Sequence, residues 1–81
     1  MIDENTLLAD GFEKALIGFG YRHNHQLAIY DYHTCVEILI ERDGMSEEDA
    51  IEYMDYNVIG SYVGEHTAIF FNRDLLNGYS T

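Results

Sequence analysis

Four histidines and one cysteine are the side chains here best suited to bind a metal or attack a substrate. His23 and His25 alternate, so in a strand or turn both could point the same way, and His33 and Cys35 follow within ten residues. His66 is available from further along the chain. Imidazole and thiolate suit zinc, so His23, His25, His33 and Cys35 form a candidate metal set for a small metal-dependent enzyme. The same residues have a plainer reading. An H-x-H pair in a polar turn is ordinarily solvated, and a free cysteine within an apolar stripe packs as a small hydrophobe. Cys35 with His33 as base is a poorer nucleophile pair, because positions i and i+2 do not face each other on a helix. The surrounding carboxylates also raise a thiol pKa and oppose activation.

The carboxylates are the second candidate. Fifteen Asp and Glu stand against four Lys and Arg, a net charge of −11 with neutral histidines. Such a chain repels nucleic acid and anionic membranes and attracts a basic protein surface. Glu37, Glu41, Asp43, Glu47, Glu48, Asp49, Glu52 and Asp55 concentrate in one stretch, opposed there by Arg42 alone. Close acid pairs are inevitable at this density, and none lies in an apolar segment that would raise its pKa for acid–base work. The stretch reads as an acidic binding face, with Tyr53, Tyr56 and Tyr62 adding amphipathic contact area, or as a solvated face that only keeps the protein soluble. No calcium loop occurs, since Asp43-Gly44-Met45-Ser46-Glu47 lacks alternating oxygen ligands. Gly18-x-Gly20 lacks the residues that would make it a phosphate loop, and no cofactor is expected.

Elements able to position these groups can be read along the chain. With 81 residues, of which 47% are hydrophobic and 14% aromatic, the chain makes one domain with a thin core. Ala15 to Tyr21 and Leu27 to Tyr32 are β-rich runs flanking the polar His23-Asn24-His25-Gln26, a hairpin in which Asn24 is suited to positive φ. Asp31 or Thr34 caps a helix whose stripe is Tyr32, Cys35, Val36, Leu39 and Ile40, with Ile38 beside it, and Gly44 ends it. Ser46 starts a second helix in a capping-box pattern. Its apolar stripe is Ala50, Ile51, Met54, Val58 and Tyr62, and it ends near Gly60. Thr67 to Phe71 is a third strand. The expected fold is α+β: a small antiparallel sheet of about three strands, in the order β-β-α-α-β, packed against an α-helical hairpin. Residues 1–12 and 72–81 are expected to be loosely held, with Leu75 and Leu76 as tethers.

The run Asp43-Gly44-Met45-Ser46-Glu47-Glu48-Asp49-Ala50-Ile51-Glu52-Tyr53, with Asn57 to Thr67 after it, is similar to a group of short proteins of tailed phages, prophages and bacteria. About half the chain is covered, and Gly64-Glu65-x-Thr67 is the most recognisable part; a Pro commonly follows that Thr in the group, where this chain has Ala68. The resemblance implies a viral or bacterial origin and assigns no catalytic residue.

One cysteine excludes an intrachain disulfide and suits a reducing compartment. The first residues carry no secretory pattern and no apolar run approaches a membrane span, which points to the cytoplasm, the host's if the protein is viral. The expected function is that of a small acidic, non-enzymatic accessory protein. It binds a protein with a basic surface, in a sharper form as a nucleic-acid mimic that inhibits a host enzyme, and homodimerises through an exposed sheet edge. The metal-dependent enzyme and a structural or assembly component of a virion are the alternatives.

Overall fold

The computed structural model describes residues 2–61 and 63–79, as a three-stranded sheet with its helices, an α+β fold. A 3-10 turn over Glu13–Ala15 leads into β1, Leu16–Arg22, and a hairpin returns the chain as β2, His25–Asp31. The left-handed residue of the hairpin is His23, at φ 57°, and not Asn24. Arg22 pairs with His25, so the loop has two residues, with positive φ at the first alone.

Helix α1, Tyr32–Asp43, starts directly from β2. Of the two expected caps Asp31 is the one used. Its Oδ2 accepts from the Thr34 backbone N–H (3.0 Å) and from the Thr34 hydroxyl (2.7 Å). These bonds favour the charged carboxylate, and its pKa is lowered, with the Thr34 hydroxyl as the largest cause. A lowered folded pKa means stabilisation that is complete above the unfolded value and is lost as pH falls through the folded one, in the range below about pH 4. Asp31→Ala is therefore expected to cost about 1 kcal/mol at neutral pH. Asp31→Asn should keep most of the cap there while losing the acid-range slope. Urea titrations at several pH values measure both, and superimposable acid limbs for wild type and Asp31→Asn would refute the assignment.

Gly44 closes α1 in the left-handed region at φ 69°, where its N–H donates to Ile40 O (3.1 Å). After the three-residue link, Ser46 caps α2, Glu47–Tyr53, accepting from Asp49 N–H at 3.1 Å. Glu47, Glu48 and Asp49 occupy its first turn, where carboxylates complement the helix dipole. The expected α-helix does not continue to Gly60. From Met54 to Ile59 the chain widens into a π-helix. A Cβ at Gly60 would lie 3.1 Å from the carbonyl oxygens of both Asp55 and Tyr56, a tight approach that glycine avoids where the widened turn closes.

The third strand, β3, is Ile69–Phe71, and it pairs parallel to β2, in the register Ile29↔Ile69, Tyr30↔Phe70, Asp31↔Phe71. The sheet, in the order β1-β2-β3, is thus mixed and not all antiparallel. Parallel neighbours require a long crossover, which the two helices and residues 60–68 supply. A three-residue strand has too short a pattern to reveal its direction.

The core lies between one sheet face and the helical pair. Ala28 and Tyr30 of β2 meet Tyr32, Cys35, Val36 and Leu39 of α1, Ala50 of α2 and Met54 of the π segment, with Phe12 and Ala15 at one end. The Tyr30 ring stacks on Phe70 at 5.6 Å, and its hydroxyl accepts from Ala9 N–H at 2.8 Å. Residues 2–12, expected to be loosely held, are tied further by Asp3 N–H to Gln26 Oε1 (2.7 Å) and by the Thr6 hydroxyl to Gln26 O (3.0 Å). Of the expected second stripe, Ala50 and Met54 are buried, Val58 is half-buried and Ile51 is exposed; Tyr62 lies outside the described residues. At the other end Leu75 and Leu76 of α3, Asp74–Tyr79, are exposed and are not part of the core among the described residues. The tail is instead joined by Asp74 Oδ2 to His33 Nε2 at 2.9 Å.

Candidate binding surface

All eight carboxylates of the helical pair, Glu37, Glu41, Asp43, Glu47, Glu48, Asp49, Glu52 and Asp55, are exposed. Their surroundings divide them. Asp43 is held by Arg42 through paired bonds of 3.0 and 2.9 Å, and that guanidinium lowers its pKa. Arg42 also donates to Gly11 O at 3.0 Å and lies over the Phe12 ring at 5.6 Å, so it anchors the N-terminal segment as well. Glu41 shares a groove with Lys14 and Arg42. Asp55 accepts from the Tyr32 hydroxyl at 3.2 Å; burial, and then this carboxylate, raise the Tyr32 pKa.

The remaining five acids, Glu37 on α1 among them, are free of such engagement. Glu47, Glu48, Asp49 and Glu52 have no side-chain partner among the described residues. Asp49 and Glu52 line an open groove of about 450 Å³ together with Met45, Tyr53, Tyr56 and Asn57. Tyr56 is 78% exposed and Tyr53 partly so. The groove follows from local geometry. Ala50 and Met54, four apart, are buried against the core, which turns positions 49, 52, 53 and 56 outward. The groove can offer carboxylates to a cation beside aromatic rings with their own polar ends. Tyr53 and Tyr56 are among the residues expected from the sequence. Met45 and Asn57 are not, since one belongs to the inter-helix link and the other's position depends on the π turn.

The candidate metal set His23, His25, His33 and Cys35 does not come together among the described residues. His23 sits exposed at the hairpin tip. His25 Nε2 lies 3.1 Å from Glu65 Oε2, and its ring meets His66 edge-on at 4.7 Å. His66 Nδ1 is buried with no hydrogen-bond partner among the described residues. His33 is exposed and engaged with Asp74. Cys35 is buried in the core, where burial, and to a smaller extent Asp31, push its thiol up to about 12. Among the described residues no three His, Cys, Asp or Glu side chains are grouped to hold a metal ion. The Glu65 and His66 neighbours of His25 were not legible in the sequence, because the crossover loop that carries them has no periodic pattern.

No helix among the described residues is long and apolar enough to cross a membrane. Compared with protein-family models, with curated proteins and with solved structures, the chain matches none.

Proposed function

We propose that this chain is a small non-enzymatic accessory protein, of phage or bacterial kind, that docks onto a basic surface of another protein in the cytoplasm. The observation that carries the reading is the groove in which the unpartnered carboxylates of Asp49 and Glu52 flank the exposed Tyr53 and Tyr56. Tyrosine supplies contact area at small entropic cost and is enriched where interfaces form. Adjacent carboxylates steer a cationic partner and fix its register more than they add raw affinity. Asp43, Glu41 and Asp55 have basic or tyrosine neighbours, and of the unpartnered acids Asp49 and Glu52 line the groove beside the tyrosines, so the docking is assigned to this groove and not to the whole hairpin. If the partner's basic surface is a nucleic-acid site, docking there makes the chain an inhibitor, and free DNA should compete with it.

The test uses wild type and Asp49→Lys/Glu52→Lys as baits in a bacterial lysate at low and high salt, with quantitative mass spectrometry. A captured protein is then purified and titrated against both. The expected result is a partner held by wild type at low salt, released at high salt, and bound at least about tenfold more weakly by the variant. Equal capture by both baits, or equal affinity of the purified partner for both, would overturn the proposal.

A further inference from the structure

Among the described residues β1 has a neighbour on one side only, and its free edge carries little of the usual protection against pairing. In the order β1-β2-β3, β1 is an outer strand of seven residues, whereas the opposite edge, β3, has three. Native proteins blunt such edges with proline, with charge, with short strands or with bulges. This chain has no proline, and Leu16 to Tyr21 contain no charged residue. The one device present is a bulge between Leu16 and Gly18, near the start of the strand. Beyond it, Phe19 and Tyr21 pair with Ala28 and Gln26 and so lie on the face that carries the core. They are nonetheless 36% and 75% exposed.

The pattern of the strand says what fits against it. Past the bulge, Gly18-Phe19-Gly20 reads the same in both directions. An antiparallel copy centred on Phe19 sets ring against ring and Gly18 against the partner's Gly20. A second copy of the same strand meets this pattern in both directions at once, as a two-fold interface requires. Aromatic pairs are among the cross-strand combinations that stabilise sheets. Glycine weakens a strand interior and often marks a bulge, which accounts for Gly18 beside the register shift. A Cβ at Gly20 would lie 3.0 Å from Ile29 Cδ1, whereas one at Gly18 would meet nothing within 4 Å. Two chains at −11 each repel, and they approach most easily where carboxylates are absent, as they are from Leu16 to Tyr21.

We infer that β1 is a homodimerisation edge, through which two copies join their sheets antiparallel about a two-fold axis at Phe19. This surface is separate from the groove of Asp49, Glu52, Tyr53 and Tyr56, and it responds to salt in the opposite sense. Salt weakens docking of an acidic groove on a basic partner, but it strengthens association of two acidic chains by screening their repulsion.

Sedimentation equilibrium of the full chain over a dilution series, at low and high salt, measures the association. The expected result is a reversible species of twice the 9.3 kDa chain mass, favoured by salt. Phe19→Lys and Phe19→Glu each place like charges face to face at the axis, and each should raise the dissociation constant by about tenfold or more. An equimolar mixture of the two should recover a heterodimer, because residue 19 faces residue 19. Circular dichroism of each variant checks that the monomer still folds. A wild type that stays at 9.3 kDa throughout, variants that dimerise as well as wild type, or a mixture no tighter than its components would each overturn the inference.

Discussion

Replacing Met54 by Ala is expected to cost the fold about 3 kcal/mol, and replacing Ile51, in the same expected stripe, less than about 1 kcal/mol. Met54 is 0% exposed at the start of the π segment, in contact with the core from α1 and β2, whereas Ile51 is 39% exposed. Truncating a buried methionine removes its transfer free energy and leaves a cavity that close-packed neighbours fill only in part. The effect is large against the total. A domain of this length has a stability on the order of 4–12 kcal/mol, so Met54→Ala should lower the melting temperature by more than about 10 °C. Calorimetry on the two variants measures the contrast. Equal melting temperatures would mean that the second helical segment is not held by this contact. The consequence reaches the groove, because Ala50 and Met54 are the side chains whose burial turns Asp49, Glu52, Tyr53 and Tyr56 outward. Met54→Ala should therefore weaken partner binding at temperatures where Ile51→Ala leaves it intact.

That contrast also marks where the sequence stops being informative. Asp31, Gly44 and Ser46 were legible because caps act through their nearest neighbours, and the structure uses each one as its residue type suggests. The hairpin was legible because two β-rich runs flank a polar stretch, whereas its two-residue loop was not, since His25 and Gln26 are polar residues that nonetheless join the ladder opposite Arg22 and Tyr21. The π segment was not, since its apolar residues at 54 and 58 have the spacing of an α-helix as well. Nor was the direction of β3, which depends on the route of the crossover and on nothing within Ile69–Phe71. Of the candidate site, the exposure of the carboxylates was legible from their type alone. Their division into Arg42-paired, Tyr32-bonded and unpartnered groups depends on contacts between residues distant in sequence. The joining of His25 to Glu65 and of His33 to Asp74 has the same origin, and it draws these histidines into separate pairs instead of one cluster.

Cys35 in the folded protein is expected to react with a thiol reagent such as Ellman's more than a thousandfold slower than in the unfolded chain. Its thiol is fully buried beside Val36 and Leu39, and burial raises its pKa to about 12. At pH 8 the thiolate fraction is then about one in ten thousand, against roughly a quarter for a free cysteine of pKa ~8.5. The reagent must also reach a side chain with no exposed surface, so reaction should proceed only through opening of the fold and should accelerate with urea as unfolding does. The same shift fixes the alkaline behaviour. A folded pKa above the unfolded value gives stabilisation that is complete below about pH 8.5 and declines as pH rises toward 12, because the unfolded chain releases its proton first. Cys35→Ala should lose that slope at the cost of a small cavity. A fast reaction of native protein at pH 8, untouched by urea, would show a reachable thiolate. It would also restore Cys35 as a nucleophile or metal ligand, the role its position between α1 and the sheet now argues against.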